Sequence, residues 1–90
     1  MHERREHSRV IFRREVFVTL PDGMTLTSMA EDFSMHGMGI LTDKPLNLGS
    51  NLTVEFNILS QDDWREITLR GKVVYSKPKS EQFKNGISFG

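Results

Sequence analysis

The sequence predicts an all-β domain, a barrel or sandwich of six or seven antiparallel strands, and three observations carry that expectation. Segments rich in β-branched and aromatic residues recur along the whole chain. Glycine, proline, asparagine and aspartate clusters separate them at turn spacing. No window shows the apolar period of an amphipathic helix. Ninety residues make a single domain, 1–90, in which 1–9 is expected to be a flexible arginine-bearing lead-in and 10–90 the barrel. A chain of this size buries only ~60% of the surface its unfolded form exposes, which argues against a large internal catalytic cleft.

The elements follow in order. Val10–Phe12 and Glu15–Leu20 are strand segments, and Pro21-Asp22-Gly23 has the residues of a tight turn. Met24–Ala30 is the expected return strand, and Met38–Thr42 a short apolar strand after a glycine. Lys44-Pro45 and Asn47–Asn51 make a polar loop. Leu52, Val54, Phe56 and Ile58 alternate with Thr53, Glu55 and Asn57, a period of two that puts one face in the core. Ser60–Asp63 is the next turn. A long strand runs from about Trp64 to Ser76, continued by Ile67 and Leu69 and then Gly71, Val73 and Tyr75, with Gly71 expected to mark a bulge or bend. Lys77–Ser80 is expected to turn, and Phe83, Ile87 and Phe89 lie in a last strand broken by Asn85-Gly86.

Composition narrows the function. The absence of cysteine excludes a disulfide framework, a thiolate zinc site and a cysteine nucleophile. The N-terminus has no apolar region of a signal peptide, and no run approaches the roughly 20 apolar residues of a membrane span. A cytoplasmic domain with no membrane insertion is expected. The net charge of zero conceals an asymmetry: residues 1–14 carry +3, residues 15–63 carry −7 and residues 64–90 carry +4. A general DNA or RNA binder needs a basic balance to release counterions along the backbone. A compact anion needs only a local cationic clamp.

Two segments could form such a site. In Arg4-Arg5-Glu6-His7-Ser8-Arg9 the guanidinium forks match two phosphate oxygens or the O6/N7 edge of guanine. The same residues equally describe a solvated basic terminus. In Asp32-Phe33-Ser34-Met35-His36-Gly37 the side chains of Asp32 and Ser34 suit a turn between strands, with Gly37 supplying a positive φ or a close backbone approach. An aspartate carboxylate also accepts from guanine N1–H and N2–H₂, the complement of what the arginines offer. Each segment alone leaves both readings open.

Arg5-x-x-x-Arg9 followed by Asp32-x-Ser34-x-x-Gly37 resembles the paired signature motifs of the PilZ family. Gly71-Lys-Val-Val-Tyr75 is similar to that family's late strand and Asn85-Gly86-Ile87-Ser88-Phe89 to its final one, so the resemblance covers residues 4 to 89. It implies a six- to seven-stranded antiparallel PilZ-type β-barrel that receives cyclic di-GMP. Arg5 and Arg9 would engage phosphates and guanine Hoogsteen edges, Asp32 and Ser34 the guanine and its linkage, and Gly37 would keep the turn open against the ligand. Arg4, just before the first motif, implies an intercalated ligand dimer. Two departures stand out. Tyr75 occupies a position where tryptophan is frequent, and the family's closing C-terminal helix is expected to be absent or truncated.

The resemblance implies a receptor whose N-terminal segment changes conformation on binding and signals to an unidentified downstream protein. The alternative is a PilZ-like adaptor that binds no nucleotide; the completeness of both motifs favours the receptor. No enzyme is expected, since the sequence shows no nucleophile–base pair. Ser34 and His36 alternate on a strand and would point apart. No cofactor or metal is expected: His2, His7, His36, Glu3 and Glu6 match no metal template. An oligonucleotide-binding barrel is disfavoured because aromatics do not interleave with basic residues. Trp64 and Phe83 are expected to pack in the core or at its rim.

Overall fold

A computed structural model describes the backbone of residues 10–90 and the side chains from residue 13 onward. Six strands form: β1 (Val10–Thr19), β2 (Thr25–Phe33), β3 (Gly37–Thr42), β4 (Asn51–Ser60), β5 (Asp63–Lys79) and β6 (Gln82–Ser88). They close into an all-antiparallel barrel in the order β1-β2-β3-β6-β5-β4. Among the described residues no helix is long and apolar enough to cross a membrane.

Local chemistry sets the hairpins. Gly23 N–H donates to Leu20 C=O and Leu20 N–H to Met24 C=O, with Gly23 at φ 93°, so Pro21-Asp22-Gly23 forms a three-residue loop. Asp22 Oδ1 accepts from Met24 N–H, as an aspartate in a turn does. Gln61 and Asp62 join β4 to β5 with both φ values positive, at 52° and 67°, matching the twist of a two-residue hairpin.

The core is the inward face of these strands. Val16, Val18, Ala30, Met38, Ile40, Leu52, Val54, Phe56, Val73 and Ile87 are buried together. The alternation of β4 holds as expected, with Leu52, Val54 and Phe56 inside. Full burial of each large apolar side chain contributes roughly 1.5–3 kcal/mol against the entropy of folding.

Several expected boundaries shift. Val10–Phe12 and Glu15–Leu20 are one strand, in which Phe12 and Arg13 together face Glu31 where the β1–β2 register slips. β5 runs through Lys77 to Lys79, because β6 pairs with it as far as Lys79↔Gln82. The bulge expected at Gly71 lies instead at Val74, between the pairs Val73↔Ile87 and Tyr75↔Gly86. That extra residue inverts the alternation, so Tyr75 leaves the inner face and Ser76 enters it. Trp64 is 69% exposed. It faces Leu59 on a stretch of β5 that pairs only with β4, so no barrel wall lies behind it.

Asn85-Gly86 does not break β6; both residues pair within it. Asn85 is fully buried. Its Nδ2 donates to Thr42 Oγ1 at 2.8 Å and to the Ile40 and Phe83 carbonyls at 3.3 Å. Its Oδ1 accepts from Ser76 Oγ at 2.6 Å and from Leu46 N–H at 3.4 Å. Thr42 Oγ1 in turn donates to Lys44 C=O. One amide thus joins β3, β5, β6 and the β3–β4 loop, and a polar group so deep is tolerated only because it is satisfied. Asn85→Ala strands the partners left in the core. It is expected to cost about 2–4 kcal/mol of unfolding free energy, read from urea denaturation followed by circular dichroism.

Candidate ligand-binding site

The candidate site grows from a defect in β2. Ala30 is fully buried and faces the core, so strict alternation would turn Asp32, two residues on, into the core as well. Instead Ala30 pairs with Ile40 and Asp32 with Gly39, which leaves Glu31 as an extra residue in the β2–β3 ladder. The bulge inverts the parity beyond it. Phe33 then packs inward, its ring 6.1 Å from those of Phe56 and Phe89. Glu31 and Asp32 both stand on the outer face.

There the two carboxylates meet the basic end of the chain. Asp32 Oδ1 accepts from Gly39 N–H at 3.0 Å, and its Oδ2 lies 2.9 Å from Lys84 Nζ. Glu31 accepts from Lys79 at 2.8 and 3.1 Å, lies 3.1 Å from Lys84 and reaches Arg13 at 3.8 Å. The hydrogen bond from Lys79 is the main reason the Glu31 carboxyl ionises below its ordinary value; burial opposes it, and Lys84 adds to it. For Lys84, burial disfavours the charge, but the bonds to Asp32 and then Glu31 outweigh it and raise its ammonium above the ordinary lysine value.

Glycines let this cluster lie flat. Gly39 and Gly86 are direct partners across β3 and β6. A Cβ on Gly39 would come within 2.7 Å of Lys84 Cε and 2.9 Å of Asp32 Oδ1. One on Gly86 would meet the Tyr75 ring at 2.1 Å, so that ring lies over Gly86 on the outer face, with Lys77 Nζ 5.2 Å from its centroid. The result is a shelf of carboxylates, lysines and one aromatic ring, able to take a planar, polar, anionic molecule.

The turn beside the shelf is Ser34–Gly37. Ser34 N–H donates to Gly37 C=O, and Ser34 Oγ accepts from His36 N–H at 3.2 Å. Ser34 and His36 therefore share a turn, rather than alternating along a strand as expected, and the hydroxyl still has its own proton to donate. Met35 at the tip is 88% exposed. Of the two roles open to Gly37, the close approach holds and the positive φ does not: a Cβ there would sit 2.3 Å from Ile87 C=O, and its φ is not positive.

Asp32, Ser34 and Gly37 are thus brought to one end of the β2–β3 hairpin. Asp32 is the penultimate residue of β2 and does not lie in the turn itself. Arg4, Arg5 and Arg9 lie outside the described residues. The register that pairs Val10 with Phe33 and Ile11 with Asp32 brings the start of β1 alongside the second motif. Sequence reasoning missed Glu31, Gly39 and Lys84. Gly39 had a signal, a second glycine two residues after Gly37 and so on the same face. Lys84, 52 residues from Asp32, had none. Two grooves of about 520 and 740 Å³ lie around Leu20 and include none of Asp32, Ser34 and Gly37. Among the described residues no cluster of three or more histidine or acidic side chains could hold a metal ion.

The chain is thus a closed six-stranded barrel with a polar shelf at one hairpin end. The family model of the PilZ domain matches residues 3–90, and the chain belongs to that family. The inhibitor of motility MotI/DgrA of Bacillus subtilis has a similar fold, with a TM-score of 0.77 at 18% identity over 99% of this chain and 44% of that one. The chain therefore spans less than half the length of that protein. The PilZ domain of CeSA from a cellulose-synthesizing bacterium matches with a TM-score of 0.63 at 19% identity, over 90% of this chain and 79% of that one. A search of curated proteins finds no match.

A carboxyl with a lowered pKa stabilises the fold above its unfolded pKa, and the contribution disappears as pH falls through the folded value. Glu31→Gln is expected to cost on the order of 1 kcal/mol at neutral pH. In melts compared across pH, the gap from wild type should hold down to about pH 5 and narrow below Glu31's ordinary 4.5.

Proposed function

We propose that the chain is a cyclic di-GMP receptor. The observation that carries this is the coincidence of PilZ family membership with both signature motifs: Arg5-x-x-x-Arg9 precedes a strand whose first residues pair beside Asp32-x-Ser34-x-x-Gly37. In this reading Asp32 accepts from guanine N1–H and N2–H₂, and Ser34 donates to the ligand's ribose–phosphate linkage. Gly37 lets β3 lie close against β6 and leaves the turn open to the ligand. Arg5 and Arg9 bring their forks to phosphate and to the Hoogsteen edge of guanine. Arg4 adds a third fork, which suits a stacked pair of ligands.

The chemistry is recognition, not catalysis. Binding draws the arginine segment toward the barrel, and the reshaped surface signals to a downstream protein. The ligand shifts that equilibrium only by its differential affinity for the closed state. Work on an intracellular second messenger places the protein in the cytoplasm. The protein needs no cofactor for this, and neither DNA nor RNA is its partner.

Isothermal titration of the full chain with cyclic di-GMP is expected to show binding with about two ligands per chain. Arg9→Ala should weaken it by roughly ten- to a hundredfold, the worth of a bidentate guanine contact. Arg4→Ala should bring the stoichiometry to one. No heat from wild type at tens of micromolar overturns the receptor reading in favour of a ligand-independent adaptor.

A further inference from the structure

β5 is the longest strand, and the barrel uses both of its edges over only part of its length. Among the described residues β6 pairs with it from Lys72 to Lys79, while from Asp63 to Gly71 its neighbour is β4 alone. Val73 fixes which way the backbone groups point: its N–H donates to Ser50 C=O and its C=O accepts from Gly49 N–H. Odd-numbered residues before it therefore bond toward β4, as the closing pair Ser60↔Asp63 of the two-residue hairpin also requires. The N–H and C=O groups of Trp64, Glu66, Thr68 and Arg70 point the other way, along an open edge.

Such edges are commonly blunted by proline, lysine or a bulge. Residues 63–71 have no proline or lysine, and the register with β4 runs unbroken from Asn51↔Lys72 to Ser60↔Asp63. The charges of Asp63, Arg65, Glu66 and Arg70 cancel, so a second copy is not repelled. Trp64 and Leu59, opposite each other across β4 and β5, add exposed apolar surface beside the edge.

In an antiparallel pair of two copies, residues with outward groups must meet, so the two-fold axis passes through a residue. An axis at Arg65 or Glu66 sets that residue's charge against its own copy, and one at Trp64 sets Glu66 against the partner's Asp62. An axis at Thr68 brings Trp64 alongside the partner's Lys72, a position that β6 already holds. An axis at Ile67 avoids these faults. It seats Ile67 on the partner's Ile67, Glu66 beside the partner's Thr68 and Trp64 beside the partner's Arg70. That guanidinium is then within diagonal reach of Glu66 and can lie on the indole face.

We propose that the open edge of β5 is a self-association surface: two copies pair antiparallel through Trp64–Arg70, with the two-fold axis at Ile67. The surface uses none of the residues of the polar shelf, so it stands apart from the receptor reading.

Sedimentation velocity of the full chain is the test. Wild type is expected to form a reversible dimer, populated by about 100 μM, as suits an interface at the small end of the range. Thr68→Glu should weaken it by about tenfold or more, because a like charge then faces the partner's Glu66 on both sides of the axis. Adding Glu66→Arg to that variant should restore the dimer, since only this register brings the two new charges together. If Thr68→Glu proves unfolded by circular dichroism, amide exchange of wild type supplies the reading. The N–H groups of Glu66 and Thr68 should exchange more slowly at high protein concentration than at low. A wild type that stays monomeric at about 100 μM overturns the proposal, as does a dimer that Thr68→Glu leaves intact or a double variant that stays monomeric. Edge amides whose exchange is the same at every concentration overturn it too.

Discussion

One extra residue in β2 decides what the outer face of this barrel can do. Glu31 has no partner of its own in the β2–β3 ladder, and the slip it causes turns Asp32 outward and Phe33 inward. Without it, a carboxylate would follow Ala30 into an apolar core, at a cost that would force it to take up a proton. With it, Phe33 joins Phe56 and Phe89 at the edge of the core, and two adjacent acids face water and the lysines of β5 and β6. Bulges are a common means of re-aiming a side chain at the rim of a barrel. A second bulge, at Val74, moves Tyr75 out over Gly86 and Ser76 in toward Asn85.

The seam between β3 and β6 holds these features in register. On its inner side Asn85 satisfies five groups from three strands and a loop. On its outer side Gly37, Gly39 and Gly86 are too closely approached by backbone, Lys84 and Tyr75 to carry a side chain without displacement. Removing a side chain usually weakens a strand, which has less to pack. Here the vacated volume is filled from neighbouring strands, by a lysine stem and an aromatic ring.

The charge asymmetry of the sequence finds its explanation at the same place. Glu31 and Asp32 belong to the acidic middle of the chain, Lys79 and Lys84 to its basic end. Closure of the barrel brings them together, so part of the segregated charge is spent within the fold. Because Lys79 and Arg13 remain exposed, their pairs with Glu31 add little to stability. The better shielded contacts of Lys84 define the geometry of the shelf.

The sequence by itself determined the all-β class, the turns at Pro21-Asp22-Gly23 and Ser60–Asp63, the inner face of β4 and the two signature motifs. Each is local information: residue preference, turn chemistry and a period of two are written in neighbouring positions. It misread Gly71 and Asn85-Gly86 and passed over Glu31, Gly39 and Lys84, for a common reason. A bulge is a mismatch between two strands, and a single strand's alternation does not show where its partner slips. Asn85 looks like a turn residue until Thr42 and Ser76 surround it, and Lys84 like a solvated lysine until β6 lies beside β3. Only tertiary pairing decided which face each of these residues occupies, and with it which polar groups stand next to Asp32.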